Sequence, residues 1–189
     1  MERPHTGRRR NEATHQAILD ATLELLAKSE GATVNIDAIA RTAGVGKQTV
    51  YRWWPSKGAL LLDALTDRSE QDVPAVDTGS LREDLLILIE STFAGAQRKP
   101  TAPALRTVVR EAAWDDHLAE LMRKFTLERR EVAREILARG QQRGELRADA
   151  DLDLMLDQFY GLFWYRFLIG HAPLDRETAA EFTDALLKQ

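Results

Sequence analysis

The sequence predicts an all-α protein of about nine helices. Apolar residues recur with helical period almost everywhere after Arg10, and no stretch reads convincingly as a strand. Breaks made of glycine, proline and helix-capping residues separate the periodic segments. With 189 residues and 44% apolar side chains, the chain can bury a core. No apolar run approaches membrane-spanning length, and the N-terminus is basic and polar rather than a signal peptide. The absence of cysteine leaves neither a disulfide framework nor a thiolate site, which fits a cytoplasmic protein.

Residues 1–10 (MERPHTGRRR) read as a flexible basic arm. A first helix is expected from Asn11, as N-cap, to Lys28 or Ser29, with Gly31 as its stop and Ile18, Ala21, Thr22, Leu25 and Leu26 as its buried stripe. Asn35 is placed to cap a second helix, with Asp37 in its first turn. The turn Gly44-Val45-Gly46 leads into a third helix, which Pro55 closes because the residue before proline disfavours helical geometry. Ser56 caps a fourth helix carrying Leu60, Leu61, Leu62 and Leu65. Residues 72–79 form a loop, and Ser80 with Glu83 makes a capping-box pattern for a fifth helix burying Leu85, Leu88, Ile89 and Thr92. The Lys99–Pro103 stretch (KPTAP) is a break before Leu105, Val108, Val109 and Ala112, and Trp114-Asp115-Asp116-His117 turns a corner. A long helix from about Leu118 to Arg139 directs Leu118, Leu121, Met122, Phe125, Val132 and Ile136 inward, with Gly140 and Gly144 loosening its end. The last two helices, about 151–169 and 175–188, flank Gly170-His171-Ala172-Pro173. The first of them is apolar nearly all round and must be covered on more than one side, by a core and by a second subunit.

Charge is unevenly distributed. Residues 1–60 hold 9 Lys/Arg against 6 Asp/Glu, whereas the remainder holds 17 against 24, for a net charge of −4. A basic first third on an acidic remainder suits a protein that meets phosphate with one segment only. Within that third, Ile36, Ile39, Ala40, Val45 and Val50 stand where two crossed helices must touch. Lys47, Gln48, Thr49, Tyr51 and Arg52 are left on the open face, as in a helix that enters a DNA major groove. Gln48 has the geometry to pair with adenine, and Lys47 or Arg52 with guanine. Thr33 and Asn35, at the start of the second helix, are placed to donate to backbone phosphate. Arg8, Arg9 and Arg10 suit either the minor groove and flanking phosphates or a solubilising tail.

Over about residues 14–65 the chain resembles the tetracycline-repressor (TetR) family of transcriptional regulators. The residues that carry this are Ile39-Ala40, Ala43-Gly44-Val45, Lys47, Thr49-Val50-Tyr51, Trp54 and Ser56-Lys57 before Ala59-Leu60-Leu61. Beyond residue 70 it rests on length, helical character and the Arg143-Gly144-Glu145-Leu146-Arg147 turn. Two positions depart from the family's pattern: Gly46 stands where a serine often caps the recognition helix, and Trp53 where smaller or more polar residues are common. The resemblance implies a helix-turn-helix domain over residues 1–54 and a regulatory domain over 55–189. It places Gly46, Lys47, Gln48, Thr49 and Arg52 at the DNA surface, with Tyr51 and Lys57 on phosphates and Trp53 either against sugar and phosphate or packed. It also implies a small-molecule effector, apolar or aromatic, among the middle helices, where Phe93, Arg106, Arg110, Trp114, Met122, Phe125, Phe159, Tyr160 and Phe163 are candidates. The same residues serve equally well as packed core. A homodimer would form through the last two helices, with Phe163, Trp164, Phe167, Phe182 and Leu186 as contacts.

The expected function is therefore a homodimeric repressor of a palindromic double-stranded DNA operator, released by an inducer. An activator or architectural DNA binder without a ligand is the alternative, followed by an enzyme or a module using the helix-turn-helix for protein contact. No Ser-His-Asp constellation, phosphate loop or paired-carboxylate motif stands out, so no catalytic residue is assigned. His117 beside Asp115, Asp116 and Glu120 reads as a solvated helix start rather than a metal site, and no cofactor is expected.

Overall fold

The computed structural model describes residues 6–28, 34–72 and 76–188, and the side chains of 12–28, 34–68 and 76–188. Nine helices and no strand occur among the described residues: α1 Thr6–Lys28, α2 Ile36–Thr42, α3 Lys47–Trp53, α4 Lys57–Asp72, α5 Leu81–Gln97, α6 Thr101–Ala112, α7 Asp116–Gln142, α8 Leu152–Ile169 and α9 Arg176–Leu186. No described helix is long and apolar enough to cross a membrane. Packing divides the chain into two compact units, one of residues 1–68 and 99–122, the other of 69–98 and 123–189.

In the first unit Ile18, Leu19, Ile39, Val50, Leu60 and Ala64 are almost wholly buried in one core, with Val45, Trp53 and Leu121 packed against it. Helix α1 begins at Thr6, so residues 6–10 continue the helix instead of forming an arm, and Asn11 lies inside it rather than capping it. Three successive arginines, good helix formers, let the helix run on towards the N-terminus. The expected stop at Ser29–Gly31, and residues 1–5 of the arm, lie outside the described residues. Asn35 does cap α2, its side chain accepting from the Ala38 N–H at 2.8 Å. Pro103 sits inside the first turn of α6 instead of in a break, since a proline there forfeits only an N–H that has no intrahelical partner. Helix α7 starts at Asp116, and Asp115 caps it by accepting from the Leu118 N–H at 3.0 Å.

In the second unit α5 lies along α9, and Arg82–Asp184 (2.7 Å) and Arg176–Glu90 (2.9 Å) bridge them. Ser80 accepts from the Glu83 N–H, but Thr78 rather than Glu83 receives the Ser80 N–H, at 3.3 Å. The Thr78 N–H and hydroxyl both donate to buried Asp84 at 2.7 Å. Burial alone would raise the Asp84 carboxyl; those two hydrogen bonds, with Arg143 and Arg139 nearby, hold it below the usual carboxylate value. Gly140 does not loosen α7: it is buried within the helix, and a Cβ there would stand 2.8 Å from Cδ1 and 2.9 Å from Cγ of Leu81. Asp151 and Asp175 cap α8 and α9. Met155, Leu156, Phe159, Phe163 and Phe167 form the buried face of α8. Its other side leaves Leu154, Tyr165, Leu168 and Ile169 exposed, by 52, 61, 43 and 65%.

Candidate nucleic-acid interface

The α2–turn–α3 geometry follows from local chemistry. The Val45 N–H donates to the Ala40 carbonyl at 2.9 Å and the Gly44 N–H to the Arg41 carbonyl at 3.2 Å, the paired bonds that close a helix C-terminus. Gly44 has φ +67°, the left-handed conformation in which a side chain is strained. Val45 then drops back onto the core. The chain re-enters a helix at Gly46, which offers no side-chain cap. Seven residues cannot sustain a helix alone, so α3 is held by what lies beneath it: fully buried Val50 and, at its C-cap, Trp54 at 5% exposure.

With that face spent on packing, Lys47, Gln48, Tyr51 and Arg52 are exposed, and Thr49 and Trp53 are half-buried. Of the predicted DNA-facing residues, Lys47, Gln48, Thr49, Tyr51, Arg52 and Trp53 thus share the one helix α3. The Lys47 ammonium pairs with Asp37 of α2 at 2.9 Å and lies 5.9 Å from the Tyr51 ring centroid. Its hydrogen bond and ion pair with Asp37 raise the affinity of Lys47 for its proton. The Arg52 guanidinium sits 5.9 Å from the Trp53 ring. Asn35 is exposed, its oxygen used in the cap of α2. Thr33 lies outside the described residues. Lys57, in the first turn of α4, is half-buried and 3.4 Å from Glu111 of α6.

Residues 18–64 match the family model described as bacterial regulatory proteins, tetR family, and residues 75–186 match the tetracyclin repressor-like C-terminal domain. The chain belongs to the TetR family of transcriptional regulators. It is 35% identical over 164 residues to the uncharacterized HTH-type transcriptional regulator YdeS of Bacillus subtilis (strain 168), covering 86% of this chain and 82% of that one. It is 33% identical to the HTH-type transcriptional regulator AqdR of Rhodococcus erythropolis, covering 84% and 77%. Among solved structures, the TetR family transcription regulator SCO0332 matches with a TM-score of 0.81 at 33% identity, over 93% of this chain and 97% of that one. FadR of Bacillus subtilis, solved in complex with stearoyl-CoA, shares the fold at 19% identity with a TM-score of 0.65, over 91% and 97%.

This TetR-family regulator thus carries a DNA-binding helix-turn-helix, and its other predicted residues fall as follows. Phe93, Phe159 and Phe163 are buried in the second unit, and Phe93 stacks on Phe163 with centroids 6.3 Å apart. Tyr160 donates its hydroxyl to the Arg129 carbonyl at 2.7 Å, and burial holds that phenol protonated well above its usual range. Phe125 lies under the Arg129 guanidinium at 5.6 Å. Arg106, Arg110, Trp114 and Met122 belong to the first unit, where Trp114 is 92% exposed. Of the dimer candidates, Phe163, Phe167 and Leu186 are buried within the chain, and Trp164 and Phe182 are half-buried.

Sequence reasoning missed four residues that hold the reading head. Asp37 and Glu111 pair with Lys47 and Lys57, while His15 and Asp63 gather around Trp54. A signal for Asp63 existed: a buried indole needs an acceptor for its N–H, and the following helix offers a carboxylate.

Proposed function

We propose that the chain is a homodimeric repressor that binds a palindromic operator in the cytoplasm and is released by an apolar or aromatic inducer. The observation that carries this is the exposed row Lys47, Gln48, Tyr51 and Arg52 on a helix whose inner side chains, Val50 and Trp54, are buried. Residues 1–54 act as the reading head and 55–189 as the regulatory part. Thr33, Asn35 and Lys57 join the backbone contacts, and a two-fold dimer sets one α3 in each of two successive major-groove faces.

Within the first unit, α4 is well placed to transmit a signal. Its Lys57 pairs with Glu111, and a Cβ on Gly58 would run into the buried Leu118 side chain and come 2.9 Å from Glu111 Oε2. A shift of α6 or of the start of α7 therefore reaches the helix that follows the recognition helix. An inducer that prefers the shifted arrangement releases operator by population shift, and a coupling of about 1–3 kcal/mol suffices.

Gel shifts with duplex DNA from upstream of the protein's own gene, across a salt series, test the DNA reading. Sequence-preferring binding that weakens steeply with salt is expected. Equal binding to scrambled duplex would overturn it. Thermal-shift screening of apolar and aromatic compounds, with a long-chain acyl thioester included because FadR was solved with stearoyl-CoA, tests the effector. A compound that stabilises the protein must also weaken operator binding at saturation.

A further inference from the structure

Trp54 closes the recognition helix in two ways. Its backbone N–H donates to the Val50 carbonyl at 3.0 Å, and its buried indole donates Nε1–H to Asp63 Oδ2 on α4 at 2.8 Å. The same carboxylate oxygen lies 3.2 Å from Nε2 of His15 on α1. The His15 ring rests 4.8 Å from the Trp54 ring and 5.4 Å from the Trp53 ring, and the two indoles meet edge-on at 5.5 Å. One oxygen thus ties together α1, α4 and the end of α3. The other end of α3 has no side-chain cap at Gly46, and Val50 is the only residue buried within the helix.

We propose that Trp54, Asp63 and His15 form a latch that fixes the angle of the recognition helix, and with it the discrimination between operator and unrelated DNA. The three are positioning residues that act through Lys47, Gln48 and Arg52. His15 and Asp63 are each about two-fifths exposed (40% and 42%), so the latch works through direction more than through Coulomb energy. Its loss should be felt unequally. Hydrogen bonds to base edges fail with a small change in helix angle, whereas attraction to phosphate tolerates it. The latch rests on the DNA-binding role of α3, and wild-type selection of a preferred duplex checks that role separately.

The wild-type protein is first used to select a preferred duplex from a random pool. Dissociation constants for that duplex and a scrambled one are then measured at one salt concentration, well below each variant's melting temperature. Trp54→Phe keeps a ring but has no N–H; Asp63→Asn keeps an acceptor; Asp63→Leu removes it. Trp54→Phe and Asp63→Leu should each weaken the selected duplex about tenfold, or about 1.4 kcal/mol, while leaving the scrambled duplex unchanged. The double variant should be little worse than either single one, and Asp63→Asn should retain most of the affinity. The Trp54 indole N–H resonance, assigned by its loss in Trp54→Phe, should lose exchange protection in Asp63→Leu and keep it in Asp63→Asn. If Asp63→Leu does not fold, Trp54→Phe and Asp63→Asn carry the test. Wild-type affinity in Trp54→Phe, equal losses on both duplexes, or loss of specificity in Asp63→Asn would overturn the latch.

Discussion

At the scale of single residues, the proposed DNA-facing surface sets the duplex against the protein's own carboxylates. Lys47 is held by Asp37, so in the proposed complex DNA replaces that partner. Asp37→Asn removes a negative charge from the DNA side and should tighten binding roughly two- to fivefold, the range of an exposed ion pair, with a slight loss of melting temperature from the weakened start of α2. Titration of a labelled operator in the two proteins measures it. Replacing Lys47 and Tyr51 together by alanine should cost at least about 100-fold in affinity, as for the joint loss of a base contact and a phosphate contact. Helicity and oligomeric state, checked by circular dichroism and light scattering, should not change. Gly44→Ala should destabilise the protein by about 1–2 kcal/mol, because φ +67° presses a Cβ against the following carbonyl; chemical denaturation reads it.

At the scale of helices, the local code was largely legible. Asn35, Ser56 and Ser80 each cap the helix that the sequence placed after them, because capping depends on a few neighbouring atoms. The start of α1, the place of Pro103 and the role of Gly140 were not legible. In α1 a helix-tolerant arginine run outweighs a good capping residue, and Pro103 fits the one turn where its missing N–H costs little. Gly140 depends on Leu81, which lies 59 residues away in sequence. The outward-facing side chains of α3 could be read from periodicity, whereas the Asp63–Trp54–His15 contacts needed the crossing of three helices. Two helical glycines show the difference that packing makes. Gly140→Ala should destabilise by about 1–3 kcal/mol through collision with buried Leu81. Gly161→Ala, with nothing within 4 Å of the added carbon, should stabilise the isolated chain by about 0.5–1 kcal/mol. Urea unfolding of both variants tests the opposite signs.

At the scale of the whole chain, the second unit gathers the acidified carboxyls. Asp84, Glu145, Asp175 and Asp184 all bind protons more weakly than usual, Asp84 through Thr78 and the arginines that outweigh its burial, Glu145 and Asp184 through Arg143 and Arg82, and Asp175 through Thr178. The unfolded chain takes up those protons first, so their stabilisation is complete above the ordinary carboxylate value near 4 and is lost as pH falls through the lowered native values. Melting temperature should drop as pH is lowered from about 5 to about 3, and Asp84→Asn should flatten that slope. In the proposed dimer, the exposed row Leu154, Tyr165, Leu168 and Ile169 is the part of α8 available to a second subunit, since Phe163 and Phe167 serve the core. Leu168→Glu should shift a dimer towards monomer in sedimentation and weaken operator binding, as half of a two-headed contact is lost.

The shortness of α3 has an evolutionary consequence. Its shape is borrowed from Val50, Trp54 and the helices beneath, while Gln48 and Arg52 face outward and lie outside that core. Those two positions can therefore vary at nearly constant stability. A regulator built this way can acquire a new target sequence without first acquiring a new fold, and a library randomised at positions 48 and 52 should yield well-folded proteins with altered operators.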